Sequence, residues 1–279
     1  MISLNLRSFL ITFSILFSLS MFGCTSVPDA KKLTIAGSTT ILPISEDWAS
    51  IFYKEKKVIV NVQGGGSTNG VNLVKSGQVD IGASSRELSE EEKDGLELVE
   101  IGKDALAIIV NNQNDIKEIT SEQLRKVFTG EITNWKELGG KNRTIQVINR
   151  ESGSGTRKTF EELVVCPKNL KEKSACNEMI LSAVVLNSNA EVKKSVELIA
   201  DSIGYISYGF LDDKVSSLSL DGIEPKEDEI KSGNYPISRS LYYLVKDKEK
   251  SPELSEYLDF ITSNEAQEVL YKEGYLPVK

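Results

Sequence analysis

The chain has 279 residues, 40% of them hydrophobic, a formal net charge of −8 and no histidine. That apolar share argues against a disordered chain and supplies the core of one large domain or of two lobes. The acid excess makes nucleic acid and anionic membrane surfaces poor partners, and the missing histidine excludes a Ser-His-Asp triad.

Residues 1–23 carry one charge, Arg7, and an apolar stretch over 9–21, which predicts a secretory signal and is short for a membrane span. Gly23-Cys24 follows and resembles a bacterial lipoprotein cleavage site, with Cys24 becoming the lipid-bearing first residue. Met21 and Phe22 fit that pattern loosely, so plain secretion with a stray cysteine is the alternative. Loss of this segment removes one positive charge and takes the net charge from −8 to −9. Residues 24–32 then read as a short tether.

A strand over 33–36 runs into Gly37-Ser38-Thr39-Thr40, and the helix after it is marked by Ile44, Trp48, Ile51 and Phe52. A second strand, over 58–62, meets Gly64-Gly65-Gly66-Ser67-Thr68 ahead of Val71, Leu73 and Val74. The charge-rich run 89–94 reads as a solvated helix end. Residues 105–111 have the pattern of a buried strand, and a helix over 121–128 precedes a turn-rich stretch in which Trp135 is expected to pack rather than to stack on a ligand. A strand over 144–149 then leads into Arg150-Glu151-Ser152-Gly153-Ser154-Gly155-Thr156, and a helix over 156–165 follows.

This alternation predicts an α/β fold. The runs 105–111 and 241–245 are candidates for two crossover strands forming a hinge. One lobe would then be 33–110 plus 237–279 and the other 111–236, with a single doubly wound domain as the alternative. Cys166 and Cys176 remain as a pair in an exported chain, which favours a disulfide over two free thiols. So short a loop would stabilise the fold by at most about 3 kcal/mol. No metal site or cofactor is expected.

Three strand-to-helix turns rich in Gly, Ser and Thr are the chemical signal. Glycine lets backbone N–H groups turn toward one point, and a helix start adds about half a positive charge there. Three hydroxyls and the Arg150 fork occupy one of these turns, a donor set suited to a small tetrahedral oxyanion. Each turn alone could merely cap its helix. A hydrolase using Ser154 as nucleophile is the competing class. No P-loop is present, and Gly64-x-Gly66 lacks its third glycine because position 69 is Asn69. The chain is therefore read as a binding protein and not as an enzyme.

The motifs GSTTILP at 37–43, QGGGSTNG at 63–70, DIGASSR at 80–86, FTGEITNW at 128–135, RESGSGTR at 150–157 and IGYISYG at 203–209 occur in this order over nearly all of the mature chain. Together they resemble the substrate-binding protein of a bacterial phosphate ABC transporter. The resemblance implies a two-lobed periplasmic-binding-protein fold of type II. It also implies high-affinity capture of inorganic phosphate between the lobes and delivery to a membrane permease with its ATPase. Carried over by motif, the ligand-binding residues are Thr39, Thr40, Ser67, Ser85, Arg150, Ser154, Gly155 and Thr156. Some long members of that family bear aspartate where Ser85 and Ser152 stand, so selectivity over sulfate is expected to be weaker here. Asp80 reads as a strand end and Glu151 as a brace for Arg150. Arg86 is either a second cation in the cleft or half of an ion pair with Glu87 or Glu90. Alternative readings are a receptor for sulfate, molybdate or a phosphorylated metabolite, or a phosphate-sensing surface lipoprotein.

Overall fold

The computed structural model describes residues 31–167, 176, 178–246 and 251–278. The signal segment, Cys24 and nearly all of the tether lie outside them.

The chain opens with β1 (Lys32–Gly37), α1 (Leu42–Lys56), β2 (Ile59–Gln63), α2 (Ser67–Lys75) and β3 (Ile81–Ser84). β1 pairs in parallel with both β2 and β3, as strands joined through a helix do. Pro43 sits in the first turn of α1, where its missing N–H costs nothing. Ile44, Trp48 and Phe52 form the buried stripe of that helix, and Trp48 Nε1 donates to Ala266 O at 2.9 Å. The short α3 (Glu90–Lys93) begins with a capping box from Ser89 and Glu92.

Two long strands then organise the molecule. β4 (Leu96–Asn111) pairs antiparallel with β11 (Ser238–Lys246) along residues 96–105, and with β8 (Ser202–Ser207) along 106–110. Between them the chain forms β5 (Glu118–Ile119), α4 (Ser121–Phe128), β6 (Gln146–Arg150), α5 (Gly155–Phe160), β7 (Val184–Leu186) and α6 (Asn189–Leu198). After β8 come β9 (Val215–Ser217), β10 (Ser219–Leu220) and α7 (Glu227–Lys231). β11 is followed by α8 (Pro252–Ile261) and α9 (Asn264–Lys272). The strand path among the described residues is β2-β1-β3-β11-β4-β8-β6-β7, with β9 on β4.

One path of strands thus carries two large cores. The first gathers Leu33, Ile35, Trp48, Phe52, Ile101, Leu241, Tyr243 and Tyr257, and the second gathers Leu106, Ile108, Phe128, Trp135, Phe160, Tyr205 and Tyr235. β4 changes core between Ile101 and Ala105. Beyond that point it is buried on both faces. Leu106, Ile108 and Val110 enter one cluster while Ala107 and Ile109 enter another, the period of two expected of a strand with helices on both sides.

The helix expected over 156–165 forms, but its second half, Glu161–Val165, widens into a π turn. Cys166 and Cys176 are joined by a disulfide with a Cα–Cα distance of 5.0 Å. Trp135 is buried and packs, as its surroundings in the sequence imply, with Nε1 donating to Asp201 O at 3.0 Å. Asp80 departs from its expected role. It precedes β3 rather than ending a strand, and its carboxylate accepts from Thr34 N and Oγ1 at 2.7 and 2.8 Å. No described helix is long and apolar enough to cross a membrane.

Candidate functional site

The three predicted turns meet. Gly37–Thr40 follows β1, Gly64–Gly66 leads into α2, and the 150–156 turn joins β6 to α5. Their helix starts differ from the simple pattern. α1 begins two residues beyond Thr40, Ser67 is the first residue of α2, and Ser154 is the true N-cap of α5, accepting from Arg157 N at 3.2 Å. A fourth loop, Ser85 after β3, joins them.

Thr40, Ser67, Ser85, Arg150, Ser154, Gly155 and Thr156 are all buried within one cluster. Ser38 Oγ donates to Ser85 Oγ at 2.8 Å, and Ser67 Oγ lies 3.4 Å from the same atom. Ser85 N donates to Ser67 Oγ at 3.1 Å. Thr40 Oγ1 and Thr156 Oγ1, from opposite cores, are 3.1 Å apart. Gly155 packs so closely that a Cβ there would collide with Ser67 Oγ and lie 2.8 Å from Ser85 Oγ. Gly66, at φ +88°, admits a similar approach, and next to it Thr68 N donates to Gly153 O at 3.2 Å.

Arg150 is 1% exposed. Glu151 holds it with both oxygens at 3.0 Å, and Asn187 O accepts from Nη2 at 3.1 Å. Nη2 also reaches Thr39 Oγ1 at 3.1 Å, so Thr39, half-buried at the rim, is tied to the arginine rather than set deep among the hydroxyls. Glu151 is the brace that the sequence implied. Ser152 is exposed, away from the buried hydroxyls.

Motifs outside the cluster hold it in place. Phe128, Phe160 and Tyr205 stack behind the 150–156 turn, the Phe160 and Tyr205 rings 4.2 Å apart and nearly parallel. Tyr205 donates to Asn149 Oδ1, which also accepts from Arg150 N at 2.8 Å. Burial pushes the Tyr205 hydroxyl well above its usual pKa, so it remains a donor at any physiological pH.

Arg86 is not a cleft cation. It is buried and forms a bidentate pair with Glu92 at 2.7 and 2.8 Å, rather than with Glu87 or Glu90. The run 89–94 is accordingly more than a solvated helix end. Reading the sequence also missed four residues. Ser38 donates to Ser85. Asn189, the first residue of α6, donates to Thr40 Oγ1 at 3.0 Å. Arg239 on β11 and Asp104 on β4 form a buried ion pair at 2.7 Å against the same hydroxyls. Burial acts to lower the pKa of Arg239 and Asp104 opposes it. Nothing local marks Arg239, whose neighbours are those of an ordinary strand.

The assembled groups are buried hydroxyls and N–H donors around two guanidinium groups. Such a set can desolvate and hold a small anion at contact distance.

Comparison with known proteins agrees with this chemistry. The profile described as a PBP superfamily domain matches residues 25–265. The chain is 34% identical to the phosphate-binding protein PstS of Bacillus subtilis, over 88% of this chain and 81% of that one. It is 31% identical to PstS of Borreliella burgdorferi, over 93% and 94%. A Clostridium perfringens structure described as a phosphate ABC transporter substrate-binding protein, with bound phosphate, superposes with a TM-score of 0.83 at 35% identity, over 89% of this chain and all of that one. A phosphate transport receptor from Vibrio cholerae gives 0.73 at 34%, over 88% and 99%. The chain belongs to the PBP superfamily and, within it, to the PstS family of phosphate-binding proteins.

Proposed function

We propose that this protein captures inorganic phosphate among the four loops and delivers it to the permease and ATPase of a phosphate importer. The observation that carries this reading is the meeting of Thr40 and Thr156 from opposite cores, beside a fully buried Arg150. Ligands in this reading are Thr39, Thr40, Ser67, Ser85, Arg150, Ser154, Gly155 and Thr156. Ser154 already caps its helix, so its contribution is chiefly to orient the turn. Calorimetric titration of the purified mature protein with phosphate, sulfate and molybdate tests it. Phosphate must bind most tightly, and equal binding of sulfate would leave a general oxyanion receptor.

The division into lobes 33–110 plus 237–279 and 111–236 goes with this function, because each lobe holds only part of the donor shell. The change of core within β4 supports it. Small-angle scattering should show a smaller radius of gyration on saturation with phosphate. An exported protein anchored through a lipid on Cys24 is the matching location. Replacement of Cys24 by Ser should then release the protein from membranes into the aqueous phase.

A further inference from the structure

Arg239 and Asp104 face each other as register partners on β11 and β4, where the strands pass from one core to the other. Both side chains are out of water, at 2% and 0% exposure. Arg239 Nε and Nη2 reach Asp104 Oδ2 at 3.0 and 2.7 Å, and Ser207 Oγ donates to Oδ1 at 2.9 Å. Holding two strands together would require no more than this. Yet the rest of the fork points into the ligand loops, donating to Thr156 Oγ1 at 2.9 Å, Ser85 O at 3.0 Å and Thr40 Oγ1 at 3.2 Å.

The consequence for the hydroxyls follows from counting lone pairs. A hydroxyl has one proton to donate and two lone pairs. Thr40 Oγ1 accepts from Arg239 Nη2 and from Asn189 Nδ2, which fills both. The Asn189 amide is oriented by Ser207 N, which donates to its Oδ1 at 3.2 Å, so Nδ2 is the atom turned to Thr40. Thr40 must therefore donate, and Thr156 Oγ1 lies within reach. Thr156 Oγ1 then accepts from Thr40 and Arg239 together, and its own proton points away from both.

We propose that Arg239, braced by Asp104, is a positioning residue. It sets the proton direction of the Thr40–Thr156 pair, so that Thr156 keeps its own proton free to donate to the anion. One side chain, paired with β4 where that strand changes core, thereby links strand geometry to the ligand shell. This role rests on phosphate capture at the same site.

The test compares phosphate titrations of the wild type, Arg239→Lys, and a double variant, Arg239→Met with Asp104→Leu, which leaves neither charge buried alone. Each is also made with Thr156→Val. Circular dichroism checks folding, and Arg239→Lys keeps a charge beside Asp104 should the double variant fail to fold. Losing the fork should weaken phosphate binding about tenfold or more in either variant. Thr156→Val should cost about tenfold in the wild type and little in the variants, a non-additivity that a purely structural pair would not produce. Wild-type affinity in a folded variant, or an unchanged cost of Thr156→Val, overturns the role of Arg239 alone. A wild type that gives no heat with phosphate overturns the proposed function itself.

Discussion

Arg86 and Arg150 occupy matching settings in the two halves of the molecule, and their different fates show what makes an arginine available to a ligand. Each stands at the end of a buried strand, beside a serine-rich turn. Arg86 is 6% exposed, and like Arg150 it grips one glutamate with two nitrogens. The remaining contacts separate them. Those of Arg86 go to Glu87 O and Thr68 Oγ1, and its glutamate, Glu92, caps an outer helix. Those of Arg150 go to Leu186 O and Asn187 O and also cross to Thr39 Oγ1 and approach Asn189, the residue that holds Thr40. Arg86 therefore serves only its own half, in which Arg239 is the arginine that reaches the hydroxyls. The second half supplies a charge that is buried, braced and turned inward.

The sharpest way to break that contrast is Arg150→Ala. A charge-assisted pair is worth about 1.5–3 kcal/mol, so phosphate affinity should fall at least tenfold and up to about a hundredfold in calorimetry. An unchanged affinity in the folded variant would make Arg150 as structural as Arg86. Gly155→Ala should come next, because the new methyl meets Ser67 Oγ and Ser85 Oγ from the opposite half. Overpacking of this kind costs about 1–3 kcal/mol. It should appear as weaker phosphate binding with a smaller change in radius of gyration, and full closure at wild-type affinity would refute the close approach.

A finer test concerns selectivity. Phosphate near neutral pH carries a proton and can donate, whereas sulfate only accepts. Ser85 Oγ, which accepts from Ser38, can also accept or donate elsewhere, but it does not repel sulfate as a carboxylate would. Ser85→Asp should widen the preference for phosphate over sulfate about tenfold, read from paired titrations. A ratio that stays put would show that position 85 does not read the ligand's proton.

The smallest effect belongs to the outward-facing pair. The Arg86 guanidinium holds the Glu92 carboxyl at about 2, down from 4.5. A lowered folded-state pKa contributes stability that is present above the unfolded value and lost as pH falls through the folded one. The pair should thus stabilise fully above about pH 5 and fade between 4.5 and 2. Glu92 is 29% exposed, so screening limits the gain to at most about 1 kcal/mol. Thermal midpoints of wild type and Glu92→Gln should differ at pH 7 and converge near pH 2. A gap that persists in acid would sink the assignment. Phosphate affinity at pH 7 should be unaffected by the same substitution, which separates this arginine from Arg150.

Much of this was legible in the sequence, for a physical reason. Strand–turn–helix units, the stripe Ile44–Trp48–Phe52 and the helix Ser121–Phe128 depend on periodicity and capping, which act over a few residues. The same locality exposes Ser67, Arg150 and Thr156, since the glycines that let the backbone turn lie beside the groups that use the turn, whereas Ser85 came only through the motif resemblance. Even the Arg150–Glu151 brace joins sequence neighbours. Direction was not legible. Whether Arg86 looks into the cleft or out to Glu92, and that Ser152 lies exposed while Ser154 is buried, follow from how each turn is docked on its neighbours. Least visible of all was Arg239, which meets Asp104, Thr40 and Thr156 from 135, 199 and 83 residues away. Local chemistry in the chain determined which loops could bind an anion. Only the antiparallel register of β4 and β11, a long-range pairing without local signature, decided which second arginine stands among them.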